Sequence, residues 1–72
     1  MYKFLVVIEK AKKNFSAYVP DLPGCIATGK TLKEVEENIY QAIQMHIKGL
    51  KEDHRPIPKC EALSEYLVLS KL

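Results

Sequence analysis

The sequence predicts a single α+β domain with the element order β-β-β-α-β, in which one long helix covers one face of a four-stranded sheet of order 3-2-1-4. Three observations predict this fold class. Residues 1–30 contain short apolar stretches separated by turn residues, residues 31–50 carry apolar side chains at helical spacing, and a last apolar run follows a proline-rich return. A helix in the last connection allows the fourth strand to lie parallel beside the first through a right-handed crossover. With 72 residues in the chain, we expect one domain, residues 1–72.

The first two strands are predicted at residues 2–9 and 15–19. The first strand has apolar side chains on both faces, which is typical of a central strand. One face carries Tyr2, Phe4, Val6 and Ile8, and the other carries Leu5 and Val7. No helix is predicted to cover the face with Leu5, Val7 and Tyr18. We therefore expect that face to contact a second copy or another protein.

A tight turn and a short strand follow. The stretch PDLPGC, residues 20–25, contains Leu22-Pro23-Gly24-Cys25, which fits a type II turn with proline at its second position and glycine at its third. The third strand is predicted at residues 25–28, and Gly29 ends it.

The helix begins after Thr31, which forms a capping box with Glu34, and extends to about Leu50. Apolar and weakly polar side chains collect on one broad face: Leu32, Val35, Ile39, Ala42, Ile43, His46, Ile47 and Leu50. Residues 55–59 read as an extended return because they contain two prolines. The last strand is predicted at residues 66–70, YLVLS.

Residues 24–31 also satisfy the phosphate-loop pattern G-x-x-x-x-G-K-[ST] letter for letter. Their context differs from that of a phosphate loop, because turn residues rather than a buried strand precede Gly24. The β-branched Ile26 and Thr28 also prefer an extended strand to a tight anion nest. We interpret the stretch as a turn, a short strand and a helix cap, and expect no nucleotide or other cofactor.

No other residue cluster predicts catalysis or a metal site. Cys25 and His46 could meet as a thiol–imidazole dyad, but no third group is marked to orient the imidazole, so we interpret them as a buried thiol and a helix-face imidazole. The spacing of the two cysteines and two histidines matches no compact zinc pattern. The acidic residues do not converge as a metal-dependent nuclease requires. We expect no enzyme activity.

Charge and hydropathy indicate where the chain is located and which partners it can bind. A net charge of +2 is too mild to imply nucleic-acid binding by itself. No apolar run approaches the roughly 20 residues that span a bilayer, and the run from Phe4 to Ile8 is too short for a secretory signal. Because no secretory signal is predicted and the cysteines form no CxxC pair, we expect reduced thiols in a cytoplasmic protein without membrane association.

Residues 19–58 closely resemble the N-terminal domain of HicB antitoxins. The shared marks occur in the family's order: Pro20-Asp21-Leu22-Pro23-Gly24-Cys25, Gly29-Lys30-Thr31, Ala42-Ile43 and Ile57-Pro58. The resemblance implies a short-form antitoxin with a partial RNase H-like fold that retains no nuclease chemistry. It further implies that the chain neutralises a HicA-like toxin, a small basic protein that cleaves mRNA, by covering it directly.

The partner contacts are expected at the turn and at the helix start, on Asp21, Leu22, Glu34 and Glu37, and the chain is expected to form a homodimer or a higher homo-oligomer. Many HicB proteins carry a C-terminal DNA-binding domain. Because this chain ends at Leu72, just after the predicted fourth strand, we do not expect operator DNA binding. The alternative hypothesis is a stand-alone nucleic-acid-binding or regulatory module without a toxin, which predicts binding that weakens steeply with salt.

Overall fold

A computed structural model describes residues 2–71 of the chain. It contains three strands and one helix: β1 (Val7–Lys10), β2 (Phe15–Tyr18), β3 (Ile26–Gly29) and α1 (Leu32–Glu52). The strands form one antiparallel sheet in the order β1-β2-β3. The α+β class, the order of the first three strands and the helix on one face of the sheet are therefore confirmed.

The predicted fourth strand is not formed. Residues 66–70 have no strand pairing in the structure, and β1, which was predicted to be central, is an edge strand. β1 also begins at Val7 rather than at residue 2. β2 ends at Tyr18, opposite Val7, and Pro20 cannot donate to a sheet hydrogen bond. Residues 2–6 therefore have no ladder partner on the β2 side.

The core lies between the sheet and the first half of α1. Its buried side chains are Ala17, Val19, Leu22, Cys25, Val35 and Ile39. The helix packs over β3 and β2 rather than over β1, and the side-chain amide of Asn38 donates a hydrogen bond to the carbonyl oxygen of Thr28 at 2.8 Å. Because α1 has 21 residues, it is about 31 Å long. Each four-residue strand spans only about 13 Å, so the second half of the helix extends beyond the sheet.

The turn before β3 has the predicted geometry. Gly24 adopts a φ of 80°, and the backbone N–H of Cys25 donates to the carbonyl oxygen of Leu22 at 3.0 Å. These are the features of a type II turn. β3 occupies residues 26–29, one residue later than predicted. Four of the residues that match the phosphate-loop pattern are therefore an extended strand paired to β2, and they do not wrap into an anion nest.

Both ends of α1 are capped by backbone or side-chain hydrogen bonds. Thr31 Oγ1 accepts from the N–H of Glu34 at 3.0 Å, which is one half of the predicted capping box; the reciprocal bond is not among those formed within residues 2–71. The helix ends at Glu52, slightly beyond the predicted end. There His54 adopts a φ of 56°, and the N–H of Arg55 donates to the carbonyl oxygen of Leu50 at 2.8 Å, as in a Schellman motif. Within the described residues, no helix has an apolar stretch long enough to cross a membrane.

Candidate partner-binding surface

Asp21 connects two distant parts of the chain. One of its carboxylate oxygens, Oδ2, accepts hydrogen bonds from the backbone N–H groups of Glu61 at 3.2 Å and of Ala62 at 3.1 Å. A carboxylate that accepts backbone N–H bonds makes a stronger hydrogen bond than a neutral acceptor does. Asp21 therefore holds the segment that follows the proline-rich return against the turn between β2 and β3.

Leu22 does not lie on the surface. Its side chain has 0% exposure and is one of the largest fully buried groups of the core. A partner therefore cannot touch the Leu22 side chain in this conformation, which conflicts with the prediction that this residue contributes an apolar contact. The backbone N–H of Leu22 donates to the carbonyl oxygen of Val19 at 3.1 Å. This bond holds the turn against the end of β2, where the Leu22 side chain packs in the buried cluster.

Glu34 and Glu37 are exposed on the first two turns of α1. Residues three apart are neighbours on a helix surface, so these two side chains form one small acidic patch. The helix dipole favours negative charge at this end of α1. Within residues 2–71, neither carboxylate makes a hydrogen bond that holds the fold, so the acidic patch is accessible to a partner.

The four predicted contact residues do not form one site. Asp21 follows β2, near the end of the sheet where Tyr18 and Ile26 are paired. α1 begins at the opposite end of the sheet, just after Gly29. The structure therefore joins Glu34 to Glu37 and separates both from Asp21 and Leu22.

Sequence reasoning identified only part of the open sheet face, which is the face turned away from α1. Val7 lies directly opposite Tyr18, and Tyr18 directly opposite Ile26, so the three side chains form a row across the sheet. Tyr18 is 41% exposed and Ile26 is 70% exposed. The exposure of Ile26 could have been predicted from the alternation of side chains along a strand. Cys25 and Ala27 face the core, so Ile26 between them faces outward.

Cys25 does not have the properties of a nucleophile. Its side chain is buried, and burial raises the pKa of the thiol above its ordinary value of 9.0. The thiolate is the reactive form, so Cys25 is almost entirely a neutral thiol near pH 7. In the part of the chain that the structure describes, no three His, Cys, Asp or Glu side chains come together as a metal site would require.

We expect Asp21→Ala to release the segment around residues 60–62. The two N–H groups would lose their acceptor, which costs about 1 kcal/mol of unfolding free energy. Trypsin should then cleave after Lys59 severalfold faster, as followed by mass spectrometry. Asp21→Asn is the matched control because it keeps a side-chain oxygen as acceptor and should remain close to the parent rate. Equal cleavage of the alanine variant and the parent would contradict the tether.

Residues 4–70 match the family profile described as HicB-like antitoxin of bacterial toxin–antitoxin system. The chain belongs to this family. A UPF0150 protein of Thermoplasma acidophilum is 41% identical over 61 residues, which cover 83% of the HicB-like chain and 88% of that protein. An uncharacterized 14.9 kDa protein of Haemophilus phage HP1 is 39% identical over 62 residues, which cover 86% of this chain and 47% of the phage protein. The HicB-like chain thus spans about half the length of that relative.

A solved structure shows the same fold. A chain in the HicA3 and HicB3 toxin–antitoxin complex superposes on the HicB-like chain with a TM-score of 0.61 and 30% sequence identity. The match covers 75% of this chain and 66% of that chain. Both comparisons confirm the family that the PDLPGC turn and the helix start indicated.

Proposed function

We propose that this HicB-like chain is the antitoxin of a type II toxin–antitoxin pair, and that it neutralises a HicA-like mRNA-cleaving toxin by direct binding. The observation that supports this most strongly is the family match over residues 4–70. The fold shared with a chain of the HicA3 and HicB3 complex supports the same partner class. In this proposal the chain acts by covering the toxin in the cytoplasm, where mRNA is found, and carries out no catalysis of its own.

The proposed contact for the toxin is the acidic patch of α1, residues Glu34 and Glu37. The chain as a whole carries a net charge of +2, so attraction to a basic toxin has to be local. Lys12 and Lys13 lie in the β1–β2 connection, at the same end of the sheet as the start of α1. Lys33 is also exposed beside Glu34, so the favourable charge comes from the Glu34 and Glu37 carboxylates alone. Leu22 supports α1 indirectly, because it packs in the same buried cluster as Val35 and Ile39, whereas Asp21 fixes residues 61 and 62 at the turn.

The first test is whether the chain inhibits a toxin at all. The protein encoded in the neighbouring reading frame is purified, and its cleavage of mRNA is measured with increasing amounts of the HicB-like chain. We expect cleavage to stop at a fixed molar ratio and a stable complex to appear in gel filtration. Undiminished cleavage with no complex would overturn the proposed function.

The second test locates the contact. Glu34→Gln combined with Glu37→Gln should weaken toxin binding about tenfold, with most of the loss in the association rate, because interface charges act mainly on encounter. The matched control is Glu9→Gln combined with Glu52→Gln, which makes the same change in net charge at exposed positions elsewhere. Binding is measured by titration calorimetry at two salt concentrations. If Ile26→Asp abolishes binding while the helix pair has no effect, the toxin contacts the open sheet face instead.

We also propose that the chain is a homo-oligomer, with the homodimer as its simplest form. Only six apolar side chains are buried among the described residues. Domains of this length are marginal alone, and association is a common way to complete their core. The row of Val7, Tyr18 and Ile26 on the open sheet face and the free edge of β1 are the two apolar surfaces that such an assembly could cover.

A further inference from the structure

The last apolar run of the chain is almost completely exposed. Tyr66, Leu67, Val68 and Leu69 have exposures of 101%, 81%, 96% and 79%. The radius of gyration is 14.4 Å, and the longest dimension is 51 Å. A compact chain of this length would have a radius of about 11 Å. A strand-forming segment of four large apolar side chains therefore projects from the body of the protein, where exposed apolar surface is unfavourable.

The free edge of β1 is adjacent to an unfilled apolar groove. β1 pairs with β2 on one side, and within residues 2–71 no strand pairs with its other side. Between residues 2–6 and the second half of α1 lies a cavity of about 810 Å³. Its lining includes Phe4, Val6, Tyr40, Ile43 and Ile47. Lys51 lies above the ring of Tyr2, with its Nζ 5.6 Å from the ring centroid, at the same groove.

We propose that residues 66–69 of one copy pair with the free edge of β1 in a second copy and form its fourth strand, and that the two copies exchange these segments reciprocally. Successive side chains of a strand point to opposite faces. Two of the four apolar side chains would then enter the groove against Tyr40 and Ile43. The other two would lie beside Leu5 and Val7 on the open sheet face.

The segment is unpaired beside its own sheet, so the edge of a second copy can act as its acceptor. Asp21 holds residues 61 and 62 at the turn between β2 and β3. Ser64, Glu65 and Tyr66 then line a shallow cavity with residues 5–8. The segment thus reaches the edge of its own sheet without forming a ladder there, and residues 67–69 that follow are almost completely exposed.

The expected contact area is large enough for a stable dimer. In a two-fold arrangement each copy donates its segment and accepts that of its partner. The dimer therefore contains two contacts between a segment and a groove. Four large side chains per segment give a total on the order of 2,000 Å², which is within the range of specific interfaces. The exchange also supplies main-chain hydrogen bonds to an edge that is otherwise open.

This inference deepens the homo-oligomer part of the proposed function and does not depend on the toxin. It is therefore tested on the chain alone. The parent chain should sediment as a concentration-dependent dimer. Leu67→Asp combined with Leu69→Asp should raise the dimer dissociation constant at least 100-fold, whereas Leu63→Asp should leave it unchanged, although Leu63 is equally exposed at 92%.

Cross-linking identifies the acceptor. In a Cys60→Ser background, which leaves the buried Cys25 in place, a Val68→Cys copy is mixed with a Lys3→Cys or Leu5→Cys copy and oxidised. We expect a disulfide-linked heterodimer, and none with a Lys12→Cys copy at the hairpin tip.

Three outcomes would overturn the exchange. If the chain remains monomeric at all concentrations, both the exchange and the homodimer are wrong. A dimer that survives Leu67→Asp with Leu69→Asp but dissociates with Ile26→Asp uses the open sheet face, so the homodimer stands and the exchange fails. If Lys3→Cys and Val68→Cys in the same chain give only an internal disulfide, the segment closes on its own sheet.

Discussion

Replacing Gly29 by alanine is expected to lower the free energy of unfolding by about 1–3 kcal/mol. A Cβ atom at this position would lie 2.6 Å from the backbone nitrogen of Val35 and 2.9 Å from its Cα. Both atoms belong to the backbone of α1, so no side-chain rotation can relieve the contact. The helix would have to move away from β3, and Val35, which has 0% exposure, would lose part of its packing.

The matched control for this change is Gly49→Ala. A Cβ atom at Gly49 would meet nothing within 4 Å, and alanine is favoured over glycine inside a helix by about 1 kcal/mol. The same substitution should therefore stabilise at one position and destabilise at the other, as measured by urea unfolding of both variants. If both variants changed the free energy of unfolding equally, α1 would not pack on β3 as closely as in the structure.

Leu22→Ala should cost about 2–5 kcal/mol, since it removes most of a fully buried side chain and leaves a cavity. Native domains have a total stability of about 5–15 kcal/mol, so the variant would lose a large part of its stability. Val35 and Ile39 belong to the same buried cluster as Leu22, so the loss should reach the helix as well as the turn. Thermal unfolding followed by circular dichroism measures this effect.

Ile26→Thr serves as the control for Leu22→Ala. Ile26 is similar in size to Leu22 but is 70% exposed, and threonine keeps the branching that strands favour. We expect a change within about 0.5 kcal/mol. If Leu22→Ala left stability intact and weakened only toxin binding, Leu22 would be a surface contact, as the sequence analysis predicted, and the buried position would be wrong.

The parts of the fold that were predictable have local causes. The type II turn follows from Pro23 and Gly24, because the two residues impose the required backbone angles on four consecutive positions. The start of α1 follows from Thr31, whose hydroxyl accepts from an N–H three residues later. The long helix follows from the spacing of its apolar side chains. Each of these signals can be read within a short stretch of sequence.

The parts that were not predictable depend on distant residues. The tether from Asp21 reaches 40 and 41 residues along the chain, and nothing near Asp21 in the sequence indicates its partners. The burial of Leu22 depends on where α1 lies over the turn. The strand predicted at residues 66–70 is not formed in the structure. Forming a strand also needs a free edge to pair with, and alternating side chains do not specify which edge that is.

The difference in length between α1 and the sheet divides the helix into two regions of unequal local stability. The amides near Val35 and Ile39 belong to the part of the helix that packs on the core, so we expect them to exchange with solvent mainly through unfolding of the whole domain. Those of the second half lie beside the unfilled groove lined by Ile43 and Ile47, so we expect their protection to rise when another chain covers that groove. Association would therefore appear first as a local rise in hydrogen-exchange protection beyond Tyr40, before it changed the stability of the sheet.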